Sequence, residues 1–405
     1  MTNFFFWTLL LTALVPGDDD RLLTKARRLH QRMLSVDTHA DAPINMVRPG
    51  FNMGAAHDTF TDESQIDFPR MKQGSMDAMF FAVYTAQGPR TPKGHQQAKE
   101  KAFDIYKSVY RALQQYPDMA ELATTPDDAY RLKKAGKRAI FIGMENGYPI
   151  GKDLSLVKAF YELGCRYITL AHFANNEICD SATDPDGPLH NGLSAFGREV
   201  VKEMNRLGIL VDVSHVSDSA FYDILHLSRA PVIASHSNAR ALCDMPRNMT
   251  DDMIKAIAAN GGVVQVNFVP EYLRKPSEIH RQAIAKIRMS TVGKVMNAAM
   301  ERRINAQIDS VNNHFAREQP TVADVARHID YIAKLVGVEF VGIGSDFDGG
   351  GGVLGLVDVT QIENLTVELL KLNYSEEDIE KIWGGNIMRV LKQARVPEDP
   401  LQADK

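Results

Sequence analysis

The hexapeptide Val36-Asp37-Thr38-His39-Ala40-Asp41 is an apolar strand opening that runs into a His-x-Asp pair. In a strand, residues i and i+2 point to one face. His39 and Asp41 would therefore project together and offer one imidazole and one carboxylate to a divalent cation. Any strand entering a loop can show this pattern, so the question is whether it recurs. Short apolar runs fall at residues 33–37, 78–84, 139–144, 167–170, 209–213, 232–234, 262–267 and 340–344. Most are separated by amphipathic helical stretches, at 96–115, 126–135, 154–163, 196–207, 218–227, 251–259 and 321–335. Several of these open on an acidic or hydroxyl cap. Helices of that length return a chain to the start of a parallel neighbour, so the eight runs predict an α/β chain folded as a (β/α)8 TIM barrel. The longest connections follow the second and seventh runs. The latter carries a helical insertion rich in Met, Lys and Arg near residues 283–316, read as a lid or a subunit contact.

The composition fits this. With 405 residues, 44% hydrophobic and 24% charged, the chain has the make-up of an ordinary globular protein. It shows no repeats or low-complexity linkers, so residues 21–405 are expected to form a single domain. A net charge of −5 with no long basic run gives no footprint for nucleic acid or an anionic membrane, which points to a small-molecule partner. Cys165, Cys179 and Cys243 are too few, and wrongly spaced, for a disulfide framework or a zinc ribbon, so any metal would be held by His and carboxylate. The apolar block at residues 4–15 has the length of a signal-peptide core and is short for a membrane span. Residues 1–20 are therefore expected to be a targeting segment, with the mature chain exported to the periplasm or cell envelope and otherwise cytoplasmic. The polar C-terminus carries no lipid-anchor signal.

In a (β/α)8 barrel the chemistry sits just past the C-terminal ends of the strands. The first run ends in His39 and Asp41, the third in Glu145, the fourth in His172, the fifth in His215, the sixth in His236 and the eighth in Asp346. Four of the 12 histidines gather at this one rim, which random placement would rarely arrange. Singly, each has a plainer explanation: a strand-end His can be a satisfied hydrogen-bonding group, and Asp346 with Asp348 can cap a turn. The Gly349-Gly350-Gly351-Gly352 stretch lacks the lysine of a phosphate loop and is expected to be a flexible turn. Together, two imidazoles from the fifth and sixth runs, an imidazole and a carboxylate from the first, and a shared carboxylate from the third predict a two-metal site. Two Zn²⁺ ions per chain could share a hydroxide and polarise a scissile carbonyl, which is hydrolytic chemistry. His172 could donate to a developing oxyanion, and Asp346 could take a proton from water and pass it to a leaving amine.

These residues, in this order, resemble the membrane dipeptidase (renal dipeptidase) family of zinc peptidases in the metal-dependent amidohydrolase superfamily. The resemblance is carried by Asp37-Thr38-His39-Ala40-Asp41, Gly143-Met144-Glu145-Asn146-Gly147, Leu170-Ala171-His172, Val211-Asp212-Val213-Ser214-His215, Ser235-His236-Ser237-Asn238-Ala239-Arg240, Pro246-Arg247-Asn248 and Gly344-Ser345-Asp346-Phe347-Asp348-Gly349, and continues to about Arg395. It implies that His39 and Asp41 hold one zinc, His215 and His236 the other, and that Glu145 bridges them. It also implies that His172 binds the tetrahedral intermediate, that Arg247 and Tyr272 contact the substrate's terminal carboxylate, and that Asp346 transfers protons. The substrate would be a dipeptide with a free carboxyl terminus; the sequence leaves the oligomeric state open, a homodimer being one option. The family's lipid anchor and intersubunit disulfide are not expected here.

Two other functions fit the same rim. One is a different binuclear amidohydrolase acting on a lactone, phosphoester or N-acyl amino acid; Arg247 disfavours it, because a cation placed for a free carboxylate is wasted on an uncharged ester. The other is a non-catalytic metal-binding barrel; Glu145, His172 and Asp346 together disfavour that, since a scaffold needs neither bridging nor proton-transfer groups.

Overall fold

The computed structural model describes residues 18–290 and 298–394. The apolar block at 4–15 lies outside the described residues, and no described helix is long and apolar enough to cross a membrane. Among the described residues the strands are β1 (Val36–Ala40), β2 (Ala78–Tyr84), β3 (Ala120–Leu122), β4 (Arg138–Glu145), β5 (Cys165–Thr169), β6 (Leu210–Asp212), β7 (Ile233–Ala234), β8 (Val263–Val266) and β9 (Val341–Ile343).

All of them pair in parallel, in the order β1-β2-β4-β5-β6-β7-β8-β9, with β3 attached to the outer end of β4. The circle is completed just past β9, where the Asp41 amide donates to the Phe347 carbonyl at 2.8 Å and the Asp346 amide to the His39 carbonyl at 2.9 Å. The eight strands on this path make the expected barrel. Three-residue β3 was not foreseen: Ala120-Glu121-Leu122 has too few residues to show a period and lies where a loop was expected. β1 also begins three residues later than the apolar run, so His39 lies inside the strand.

Alternation along the strands sorts the core. Leu34, Val36, Phe80, Phe141, Tyr167, Leu210, Ile233 and Val263 form one buried cluster with Ile387 and Met388, filling the barrel's interior. Phe80 stacks on Phe141 with ring centroids 4.6 Å apart. The opposite strand faces bury Met79, Phe81, Ile140, Ile142, Ile168 and Val264 against the helices. Strands buried on both faces explain why the runs are near-continuously apolar.

Helices Asp218–Leu227 and Asp251–Ala259 coincide with the expected ones. Helix Pro92–Gln115 starts four residues earlier than its apolar period, because the Thr91 side chain accepts from the Gly94 amide and Pro92 suits the first turn. The insertion is a pair of helices, Glu278–Met289 and Ala298–His314, packed on each other. Beyond β9, helix Glu363–Lys371 lies along Asp18–Arg32, tied by His30 to Thr366 at 2.8 Å and Arg27 to Glu363 at 3.0 Å.

Candidate active site

The rim residues converge as the strand ends predict. Glu145 closes β4 and its Oε1 lies 3.2 Å from His215 Nε2, 3.4 Å from His236 Nε2 and 3.5 Å from His172 Nε2. Its Oε2 lies 3.6 Å from His39 Nε2, which is also 3.5 Å from Asp41 Oδ2 and 4.0 Å from Asp346 Oδ1. All seven side chains are buried.

Backbone geometry aims them. His215 and Asp346 sit in the left-handed region, with φ of 66° and 62°, where a non-glycine residue is strained; such strain collects at functional sites. Asp41 stands at the start of the short helix Ala42–Met46 without capping it, which leaves its carboxylate free for the centre. Gly349 is part of the fit: a Cβ there would collide with the carboxylates of Asp41 and Asp346. The glycine stretch is also anchored, since Gly349 and Gly351 both donate to the Asp346 carbonyl, at 3.0 and 2.7 Å. It is a tied turn rather than the flexible one expected.

A ring of supporting contacts fixes which imidazole nitrogen faces inward. Ser235 Oγ donates to Asp212 Oδ2 at 2.6 Å, so it can only accept from His236 Nδ1, 2.8 Å away. That leaves His236 Nε2 as a lone pair turned to the centre. His39 Nδ1 meets the Tyr167 hydroxyl at 2.8 Å, and its Nε2 is buried with no hydrogen-bond partner. Such outer contacts orient metal-binding histidines. Tyr167 itself fits only because β4 carries Gly143 beside its ring. Asp37 accepts from the amides of His39 and Ser345 at 3.1 and 2.9 Å, stitching β1 to the segment after β9.

Electrostatics agree with a cation site. Burial, reinforced by the neighbouring His39 and Arg247, lowers His236 to about 4. His215 is held well below its usual value by burial and Arg247. Both imidazoles are thus disposed to the neutral form, the form in which an imidazole can bind a cation. Burial opposes ionising Glu145, but the imidazoles of His172 and His39 outweigh it and hold the carboxyl well below its usual range. Asp41 is pushed well above its own by burial and by the neighbouring carboxylate of Glu145, a crowding that a bound cation would relieve. His215 Nε2 and His236 Nε2 face each other at 2.9 Å, and Asp41 Oδ1 is also without a partner. Three overlapping groups could each hold an ion: His39, Glu145 and His236; Glu145, His172 and His215; and His39, Asp41 and Asp346. The donor set of imidazole and carboxylate suits zinc or a similar divalent ion.

Arg247 is buried behind His236. Its Nη2 donates to the His236 carbonyl and its Nη1 to Ser237 Oγ, each at 2.7 Å, while Nε has no partner. Its guanidinium lies 5.7 Å from the centre of the Tyr272 ring. Asp346 Oδ2 accepts from Asn267 Nδ2 at 2.9 Å. Tyr84, at the end of β2, sets its ring edge-on to His172 with centroids 4.9 Å apart. Sequence reading missed Tyr84, Tyr167, Asp212, Ser235 and Asn267. A tyrosine inside an otherwise apolar barrel run was the available signal for Tyr167, since a buried hydroxyl needs a partner.

Comparison with known proteins agrees with this geometry. The family model for membrane dipeptidase, peptidase family M19, matches residues 23–405. The chain is 34% identical to dipeptidase tcpJ of Claviceps purpurea over 81% of its own length and 69% of the relative's. It is 32% identical to dipeptidase verJ of Clonostachys rogersoniana over 92% and 87%. Among solved structures, the probable dipeptidase PvdM from Pseudomonas aeruginosa superposes with a TM-score of 0.82 at 30% identity, covering 93% of this chain and 98% of that one. The chain therefore belongs to the membrane dipeptidase family, peptidase family M19, and is a metal-dependent hydrolase of dipeptides.

Proposed function

We propose that this enzyme uses two zinc ions per chain to hydrolyse the peptide bond of dipeptides that carry a free C-terminal carboxylate. His39 and Asp41 would hold one ion, His215 and His236 the other, with Glu145 shared between them. When bound, the ions supply an activated water and polarise the scissile carbonyl. The remaining work belongs to side chains. Asp346, steadied by Asn267, takes a proton from the attacking water and returns it to the leaving amine. His172, pushed below its usual value chiefly by burial, presents Nε2 beside Glu145 as the donor for the developing oxyanion.

Arg247 carries the specificity reading. It is a buried guanidinium with an unpartnered Nε and no carboxylate within ion-pair distance among the described residues, so its charge awaits an anion. An Arg fork beside the metal centre suits a substrate carboxylate, with Tyr272 covering its flank. Fixing the carboxylate there limits the chain to one residue beyond the scissile bond. The test is a matched set of a dipeptide, its C-terminal amide and the corresponding tripeptide, assayed with and without chelation. Cleavage of the dipeptide alone, abolished by chelation and restored by zinc, is expected; equal cleavage of all three would overturn the reading.

The apolar block at residues 4–15 supports export, with residues 21–405 acting as one barrel domain in the periplasm or cell envelope. The helical insertion supports a homodimer. N-terminal sequencing and sedimentation of native protein test these; an intact Met1 on cytosolic monomer would refute both.

A further inference from the structure

Next to the rim cluster, reached through Tyr84, lies a cavity of about 400 Å³ lined by Ile44, Val47, Tyr84, Ala98, Ile105 and Tyr148, among others. Its lining is mainly apolar, and its position relative to Arg247 is set by the barrel. Arg247 lies in the segment after β7, the sixth strand on the closed path, and Tyr84 ends β2, the second. In an eight-strand barrel those positions face each other across the axis. Glu145 and the histidines stand between. Tyr84 is the residue the two share: its ring meets His172 edge-on and also lines the cavity. Ile44 lines it three residues after Asp41 and is left 37% exposed, an apolar side chain the fold does not cover. Thr85 lines it too, but is only 3% exposed and its hydroxyl oxygen is buried in the wall, so the surface offered to an occupant stays mainly apolar.

We propose that this cavity receives the side chain of the dipeptide's N-terminal residue and selects for large, mainly apolar ones. The assignment rests on Arg247 holding the substrate carboxylate: with that end fixed under β7 and the scissile carbonyl at the metals, the N-terminal residue points across the axis toward β2. The volume far exceeds what glycine or alanine needs.

The experiment compares kcat/KM over an Xaa-Leu series (Gly, Ala, Leu, Phe) and a Leu-Xaa series on the zinc-loaded enzyme. The native enzyme should favour Phe-Leu over Gly-Leu by about tenfold or more, the range a hydrophobic pocket supplies. Ala98→Phe, which fills the cavity from helix Pro92–Gln115, should erase that preference. Should Ala98→Phe fail to fold, Ile44→Trp narrows the cavity from an exposed position and should shift the same ratio. A native preference for small N-terminal residues would overturn the proposal, as would a ratio that neither variant moves or a shift confined to the Leu-Xaa series. Dipeptide amides run in parallel separate the two ideas. Amides cleaved as fast as acids would refute the Arg247 reading alone, while the Xaa-Leu ratio would still decide the pocket.

Discussion

His236 is held from behind by Ser235, whose hydroxyl accepts from Nδ1 at 2.8 Å while donating to Asp212. Nε2 is thereby left as a lone pair turned toward Glu145 and His215. Native protein should carry about two zinc ions per chain. Ser235→Ala should lower metal affinity by about 10–100-fold, the usual cost of losing an outer partner of a histidine ligand. Competition against a chromophoric chelator measures it; undiminished affinity would show that the relay does not orient the ring. Full turnover in demonstrably metal-free protein would defeat the mechanism itself.

Asp346 shares the approach to His39 Nε2, at 4.0 Å, with Asp41 and Glu145, but its other oxygen is held by Asn267, which sets it apart from the five proposed ligands. Asp346→Asn should keep fold and metal while lowering kcat by roughly 10²-fold or more, as expected for removal of an acid–base group. Loss of both ions in that variant, seen by elemental analysis, would make Asp346 a ligand instead.

Gly143 leaves the space that the Tyr167 ring occupies. Gly143→Ala should therefore destabilise the barrel by about 1–3 kcal/mol, the range for overpacking a core. By displacing the Tyr167 hydroxyl from His39 Nδ1, it should also weaken metal binding. Calorimetry and metal titration read the two effects separately, and an unchanged melting temperature with unchanged affinity would remove Tyr167 from the support of the site.

His328 offers a pH test away from the metals. It is buried, accepts from the Ala239 amide at Nδ1 (3.2 Å) and faces the Leu273 carbonyl with Nε2 (2.9 Å), so a second ring proton would point at an N–H. Burial, partly offset by the bond to Leu273, lowers it from 6.5 to about 4. Between those values the unfolded chain binds a proton that the folded chain refuses, so stability must fall as pH drops through that window. At pH 5 the loss relative to neutral pH is about 2 kcal/mol. His328→Gln should lose correspondingly less between pH 7 and 5 in denaturant titrations. Parallel curves for the two proteins would contradict this.

The barrel and the convergence of its rim side chains were legible in the sequence because each is announced locally. An apolar run buried on both faces ends in His, Asp or Glu, and a rim of such ends is improbable by chance. What stayed hidden depends on partners distant in the chain. Asp37 shows its role only when Ser345 is beside it, and Tyr84 looks like the end of a core strand until His172 meets it. The inward turn of His215 and Asp346 is a left-handed backbone conformation that His and Asp adopt more readily than most residues, but too seldom for the sequence to announce it. β3 is simply too short to carry a period.

Arg247 is where two explanations of one residue part. Its bonds to the His236 carbonyl and Ser237 hydroxyl show that it braces the segment after β7, which alone could account for its burial. Bracing uses both terminal nitrogens yet leaves Nε and the net positive charge unanswered in a desolvated place, which costs stability unless an anion arrives. If the substrate carboxylate is that anion, amidating a dipeptide's C-terminus should lower kcat/KM by a factor equivalent to about 2–4 kcal/mol in the native enzyme. In Arg247→Met the same amidation should matter little, because the partner is already gone. The diagnostic quantity is the coupling between the two changes. Losses that simply add would leave Arg247 as a brace and return the choice of substrate to the other walls of the site.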